Sequence, residues 1–241
     1  MKNYFENKFV EQTWFKIRFD GVQFNSLSRE DIDVLCKDIT EEEIVDAVRQ
    51  CGSTKSPGPD GYNFYFLKNN WEVVGPNIIN AILNFQESGY IPRGCNTSFI
   101  TLVPKQESPF SLNDYRPISL VGCMYKILSK ILANRLKCVL PKVIDLHQFA
   151  FLSGRGMLDS ILIANEIADF IRKERKKGVI VKVDYEKTYD LVNWQFLYYM
   201  MKRLGFDGKW IKWIKMCLES TAILILVNES PTEEFKPRKG L

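Results

Sequence analysis

Apolar positions along the chain fall into helically spaced stretches and short extended runs, and the first 40 residues sustain no period. From Thr40 the helical period sets in. Thr40 and Glu43 form an N-terminal capping signature, Ile44, Val45, Ala47 and Val48 follow, and Gly52 closes the helix after Cys51. Two prolines and two glycines in Lys55-Ser56-Pro57-Gly58-Pro59-Asp60-Gly61 predict a rigid irregular loop. Helical spacing resumes over Phe64–Trp71 and Ile78–Glu87. Ser98–Pro104 and Tyr115–Val121 read as extended runs joined by a polar turn near Ser111–Asp114, which predicts a hairpin. A helix is expected from Met124 to about Val139, with Ile127, Leu128, Ile131, Leu132 and Leu136 inward and Lys126, Lys130, Arg135 and Lys137 on other faces. A second long helix spans Met157–Lys177 and ends at Gly178. The β-branched run Val179–Val183 predicts a buried strand that closes on Asp184. Helices over Trp194–Leu204 and Gly208–Leu218 and a strand over Thr221–Val227 complete the pattern, which contains no internal repeat.

At 241 residues and 46% hydrophobic, the chain is long enough to bury a core. Its apolar stretches fall far short of the roughly 20 residues that cross a bilayer. Its first residues lack the apolar run of a secretion signal and the Arg-rich character of a transit peptide, so residence in the cytoplasm or nucleus is expected. The six cysteines have no zinc-like spacing and read as reduced core thiols. His147, the one histidine, reads as packed or capping rather than catalytic, because no Ser or Cys partner pattern accompanies it. Residues 1–50 hold 7 Lys and Arg against 11 Asp and Glu, whereas the other 191 residues hold 26 against 18. The basic character therefore belongs to the body of the chain. Arg172–Lys177, with Lys202, Arg203, Lys209, Lys212 and Lys215, suits either a phosphate-lined groove or a solvated helix face.

Asp184 carries the clearest chemistry that the residues alone suggest. A carboxylate closing an apolar strand is costly to bury without a cation or donor, and a divalent metal is one such partner. A two-metal site needs carboxylates from separate elements, and Glu186 and Asp190 are the neighbouring candidates. A strand-end turn, or a helix cap at Asp190, is the alternative, and spacing does not separate them.

Val181-Lys182-Val183-Asp184-Tyr185-Glu186-Lys187-Thr188-Tyr189-Asp190-Leu191-Val192-Asn193-Trp194 resembles the first palm motif of reverse transcriptases from non-LTR (LINE-type) retrotransposons, especially those of plants. Lys55–Gly61, Leu102–Lys105, Asn113–Leu120 and Gln148–Phe151 with Gly154-Arg155 resemble the same family, in its order. The resemblance implies an RNA-directed DNA polymerase that uses Mg²⁺, deoxynucleoside triphosphates, an RNA template and a DNA primer. Asp184 would be a catalytic metal ligand, and Tyr189 would sit under the sugar of the incoming nucleotide, where core packing is the plainer role. Lys105 and Arg116 would clamp the triphosphate; otherwise they are exposed strand cations. Gly154 and Arg155 would lie against the template backbone. Lys55 would touch nucleic acid only if the largely structural loop around it reached that far. Thr188 departs from the alanine that the family commonly has.

The expected fold is α+β, right-hand polymerase fingers with a truncated palm. It divides into a connector over 1–40, a fingers-like region over 41–156 and a partial palm over 157–241. Gly240-Leu241 would open the family's next palm motif, and the paired aspartates that follow it in the family are not among these residues, so the chain is expected to be inactive alone and to expose a sheet edge. A non-catalytic nucleic-acid-binding remnant and a pseudogene product are the alternative readings. Oligomeric state is not legible in the sequence.

Overall fold

The structure, a computed structural model, describes residues 1–10, 18–152, 154–183 and 189–240. Five of the described helices begin where a short polar side chain satisfies an amide N–H group that has no partner inside the helix. Thr40 Oγ1 accepts from Glu43 N at 3.2 Å while a Glu43 carboxylate oxygen accepts from Thr40 N at 3.2 Å, which starts helix α3 (Glu41–Gln50) as the sequence predicts. Ser28 and Asp31 make the same reciprocal cap on α2 (Arg29–Cys36), inside a stretch where the sequence pattern gave no element. The helix α1 (Lys2–Lys8) precedes it. Next come α4 (Phe64–Asn69) and α5 (Trp71–Ser88), the latter ending at left-handed Gly89.

The central element is α6 (Cys123–Val143), one turn longer than its apolar period suggests. Cys123, Ile127 and Ile131 lie four residues apart and pack with Ile44, Ala47 and Val48 of α3, Phe64 and Leu67 of α4 and Ile82 of α5. Leu128, Leu132, Val139 and Val143 face a second cluster, built with Leu35, Phe85 and the helices α8 (Trp194–Arg203) and α9 (Gly208–Glu219), where Trp210 and Trp213 are fully buried. One helix thus joins two cores.

Arg135 corrects the outward placement expected of it. It is only 3% exposed and continues the buried Cys123–Ile127–Ile131 row. Its Nη1 donates to Leu35 O (3.0 Å) and Lys37 O (2.5 Å), and its Nη2 donates to Asp38 O (2.9 Å). The carbonyls left open where α2 ends therefore draw the guanidinium inward, and Glu43 balances its charge.

A mixed sheet packs beside the helices in the order β2 (Tyr115–Val121), β1 (Thr97–Pro104), β3 (Ala222–Val227), β4 (Ser230–Pro231). The predicted hairpin forms from β1 and β2, with a short 3₁₀ turn at Leu112–Asp114. The strand β3 pairs with β1 in parallel, and β4 returns antiparallel on β3. Buried Asn96 sets that parallel pairing. Its side-chain amide donates to Cys217 O (2.7 Å) and Ser220 Oγ (2.8 Å), and its backbone carbonyl accepts from Ala222 N (3.1 Å), so the end of α9 is tied to the start of β1. Ile100, Ile223 and Ile225 share a sheet face covered by Phe5 of α1 and by Phe235.

The segment after α6 departs from expectation. The helix α7 (Met157–Lys173) ends a turn before Lys177, and Arg175 takes φ +50°. None of its residues is buried. The strand expected over 179–183 is absent: Val179 and Ile180 are 89% and 88% exposed, and no described strand runs beside them. A β-branched run becomes a strand only when a neighbouring ladder takes up its amides, and among the described residues none does.

Candidate nucleotide and nucleic-acid site

The hairpin places two of the candidate cations. Val103 stands opposite Arg116 and Pro104 opposite Tyr115, so the ladder runs on to Lys105, whose N–H donates to Asp114 O at 2.7 Å. Residues directly opposite share a face, and so do those two apart on one strand. Lys105 and Arg116 are therefore brought to the same face of the hairpin end. Lys105 Nζ donates to Asn113 O at 2.6 Å, whereas the exposed guanidinium of Arg116 has no hydrogen bond or ion pair among the described residues. The turn is held by Asp114, which accepts from Ser111 N (2.8 Å) and Phe110 N (3.0 Å); these bonds hold its carboxyl below the usual carboxylate range. Tyr4 Oη reaches Asn113 Oδ1 at 2.6 Å and ties α1 to that turn.

The Pro/Gly loop docks on the other end of β2. Asp60 Oδ2 accepts from Cys123 N at 2.5 Å, which caps the first turn of α6. Gly58 lies so close that a Cβ there would stand 2.3 Å from the Val121 carbonyl carbon. Only glycine fits that approach, which agrees with a structural role for the loop.

Arg155 turns back onto α6. Its Nη1 donates to Asp145 O (2.5 Å) and Gln148 O (2.7 Å), and its Nη2 to Pro141 O (3.2 Å) and Ile144 O (3.3 Å). These carbonyls lie at and just beyond the helix end, so the side chain fixes the 141–148 turn. Gly154 beside it is exposed at φ +79° with open space around its Cα. His147 is neither packed nor a cap: it is exposed, with Nδ1 2.7 Å from Asp145 Oδ1. Of the cysteines, Cys123 and Cys217 are buried, and burial pushes their thiols up to about 11 and about 12. Cys138, by contrast, is exposed, because it falls on the outer side of α6.

Asp184, Glu186 and Thr188 lie outside the described residues. Tyr189, just after them, is 58% exposed. Asp190 does not cap the following helix; Asn193 does, through its bond from Phe196 N at 2.8 Å. Asp190 instead meets Lys8 Nζ at 2.7 Å, a contact between residues 182 positions apart that no local pattern announces. Gly240 closes over this segment: its N–H donates to Val192 O (2.8 Å) and its carbonyl accepts from Trp194 Nε1 (2.6 Å). Among the described residues, no three His, Cys, Asp or Glu side chains are grouped so that they could hold a metal ion. No described helix is long and apolar enough to cross a membrane.

Residues 103–241 match the family model for reverse transcriptase (RNA-dependent DNA polymerase), and this span holds Lys105, Arg116, Arg155, Asp184 and Tyr189. The chain belongs to the reverse transcriptase family, on the branch carried by non-LTR retrotransposons. It is 29% identical over 203 residues to the Transposon TX1 uncharacterized 149 kDa protein of Xenopus laevis, covering 84% of this chain and 16% of that one. It is 29% identical over 205 residues to the probable RNA-directed DNA polymerase from transposon BS of Drosophila melanogaster, covering 80% and 22%. The RNA-directed DNA polymerase from mobile element jockey, also of Drosophila melanogaster, is 25% identical over 177 residues, covering 69% of this chain and 18% of its own length. The chain thus spans about a fifth of the curated relatives it matches.

Proposed function

We propose that these residues form the fingers and part of the palm of an RNA-directed DNA polymerase that copies an RNA template from a DNA primer. Support comes foremost from the family match over 103–241, within which the hairpin register puts Lys105 and Arg116 on one face. In this reading residues 41–156 act as fingers and 157–241 as palm, with 1–40 leading in. Arg116 receives the triphosphate of a deoxynucleoside triphosphate with its planar fork, and Lys105 joins it by exchanging its bond to Asn113 O for a phosphate oxygen. Tyr189 lies under the sugar, and Gly154 leaves the template backbone room to approach while Arg155 holds the turn beside it.

Asp184 is the residue assigned to Mg²⁺, whose chemistry when bound is to activate the primer hydroxyl and to stabilise the departing pyrophosphate. Asp190 is held by Lys8 and is not assigned to the metal.

The test is Mg²⁺-dependent primer extension on an RNA template by the 241-residue chain and by Asp184→Asn, with template binding measured in parallel. Binding without extension by either protein is expected of a chain that spans so small a share of its relatives, and it agrees equally with a binding remnant. Extension by the unmutated chain alone would mean that the polymerase site is complete within these residues. Absence of both binding and extension would overturn the proposal.

A further inference from the structure

Tyr4 and Lys8 stand one helical turn apart on α1, so they share a face, about 6 Å from each other along the axis. Tyr4 Oη donates to Asn113 Oδ1 at 2.6 Å, and the backbone carbonyl of the same Asn113 holds Lys105 Nζ. Lys8 Nζ meets the Asp190 carboxylate at 2.7 Å, one residue beyond Tyr189. A single turn of helix therefore touches both the hairpin end that carries Lys105 and Arg116 and the segment that carries Tyr189. The side chains of Lys8 and Asp190 are only 18% and 30% exposed, so losing either leaves the other charge poorly solvated.

Packing of α1 on the sheet does not require these two contacts. Buried Phe5 already covers Ile100, Ile223 and Ile225 together with Phe235, and Phe9 rests beside Phe235 with ring centroids 6.3 Å apart. Lys2 meets Glu233, whose side chain is largely exposed, and surface pairs of that kind contribute little. Backbone bonds repeat the link made by Lys8. Arg238 N donates to Phe9 O at 3.0 Å, and two residues on, Gly240 N donates to Val192 O, so the 238–240 run lies between α1 and the segment after Tyr189. A Cβ at Gly240 would stand 3.0 Å from Asp190 O. A helix anchored in the sheet by Phe5 is thus a fixed point for both loops, and it lies outside residues 103–241, which carry the family match.

We infer that α1 is a positioning element of the nucleotide site, with Tyr4 and Lys8 holding the Lys105–Arg116 hairpin end and Tyr189 at one spacing. The triphosphate of a deoxynucleoside triphosphate meets the hairpin and its sugar meets Tyr189, so the two ends of one ligand need receptors a set distance apart. Tyr4 and Lys8 act through Asn113 and Asp190 and do not touch the ligand. The inference rests on the nucleotide reading proposed above for its ligand, and on the α1 contacts for the clasp itself.

The experiment uses the whole chain in a buffer without Mg²⁺, template or primer. Competition against a fluorescent deoxynucleoside triphosphate gives the affinities of deoxythymidine triphosphate and of inorganic tripolyphosphate, which has the phosphates but no sugar. Lys8→Met is expected to leave tripolyphosphate binding unchanged and to cut the preference for the nucleotide at least ~5-fold, the lower end of the range for coupled sites. Lys8→Arg keeps the ion pair and should retain most of the preference, whereas Tyr4→Phe should lower it. Lys2→Met removes the same charge from the same helix and should change neither affinity. Hydrogen exchange read by mass spectrometry tests the clasp without any ligand: Lys8→Met is expected to speed exchange over residues 189–194 and Tyr4→Phe over 111–115, with Lys2→Met matching the parent in both. An unaltered preference in Lys8→Met, unaltered exchange over 189–194, or an equal loss in Lys2→Met would overturn the inference. A parent that binds tripolyphosphate as tightly as the nucleotide would instead overturn the nucleotide reading and the ligand named here, while the exchange rates decide separately whether Tyr4 and Lys8 hold the two loops.

Discussion

Arg135 grips both carboxylate oxygens of Glu43, with Nε to one at 2.9 Å and Nη2 to the other at 2.7 Å, across 92 residues of sequence. The pair locks the start of α3 to the middle of α6, and the remaining guanidinium donors close the end of α2. Removing one member leaves buried polar groups without partners, which costs about 3–5 kcal/mol. Arg135→Met is therefore expected to lower the thermal midpoint by several degrees or more, and Arg135→Lys by less, since it keeps the charge but loses the fork. A melting curve for Arg135→Met that overlays the parent would count against the hub.

Acid should weaken the same junction. Burial works against the Glu43 carboxylate, but the hydrogen bonds from Arg135 and Thr40 outweigh it and hold its pKa below the ordinary 4.5. The Lys142 hydrogen bond likewise holds Asp31 below 3.8. A carboxyl whose folded pKa is depressed contributes stability that is complete above its unfolded pKa and disappears as pH falls through the folded one. Urea unfolding is thus expected to show stability declining below about pH 4.5. Glu43→Gln should make that decline shallower, and parallel pH profiles for the two proteins would refute the assignment.

The docked loop offers a graded pair of substitutions. Asp60→Ala removes the side-chain cap on Cys123 N and is expected to cost about 0.5–2 kcal/mol. Gly58→Ala drives a methyl group into the Val121 backbone and should cost more than Asp60→Ala. Denaturant unfolding that ranks them in the opposite order would mean that the loop stands off β2 in solution.

Exposed apolar surface should govern how the chain behaves at high concentration. Ile161, Leu162, Ile163, Ile167 and Phe170 of α7 and Val179–Val181 all lie open, and β2 is an edge strand. Contiguous apolar faces and free strand edges favour association. Light scattering is expected to rise with protein concentration, and Ile163→Lys/Ile167→Lys should suppress that rise. A parent chain that stays monomeric throughout would overturn this expectation.

Local chemistry is what the sequence by itself determined. Thr40 and Glu43 cap α3 within a single turn; the extended runs flanking Ser111–Asp114 form a hairpin; and Ile127, Leu128, Ile131 and Leu132 mark the two buried sides of α6. Each of these depends on neighbours a few residues away, so each is written in spacing. The family could be read for the same reason, from motifs that are themselves short runs. Only the tertiary structure decided that Arg135 is buried, that Asp190 meets Lys8, that Asn96 sets β3 beside β1, and that Tyr4 reaches Asn113. These depend on partners tens to hundreds of residues away. The apolar run at 179–183 shows the same principle from the other side: propensity proposes a strand, but a strand exists only where another chain segment takes its hydrogen bonds.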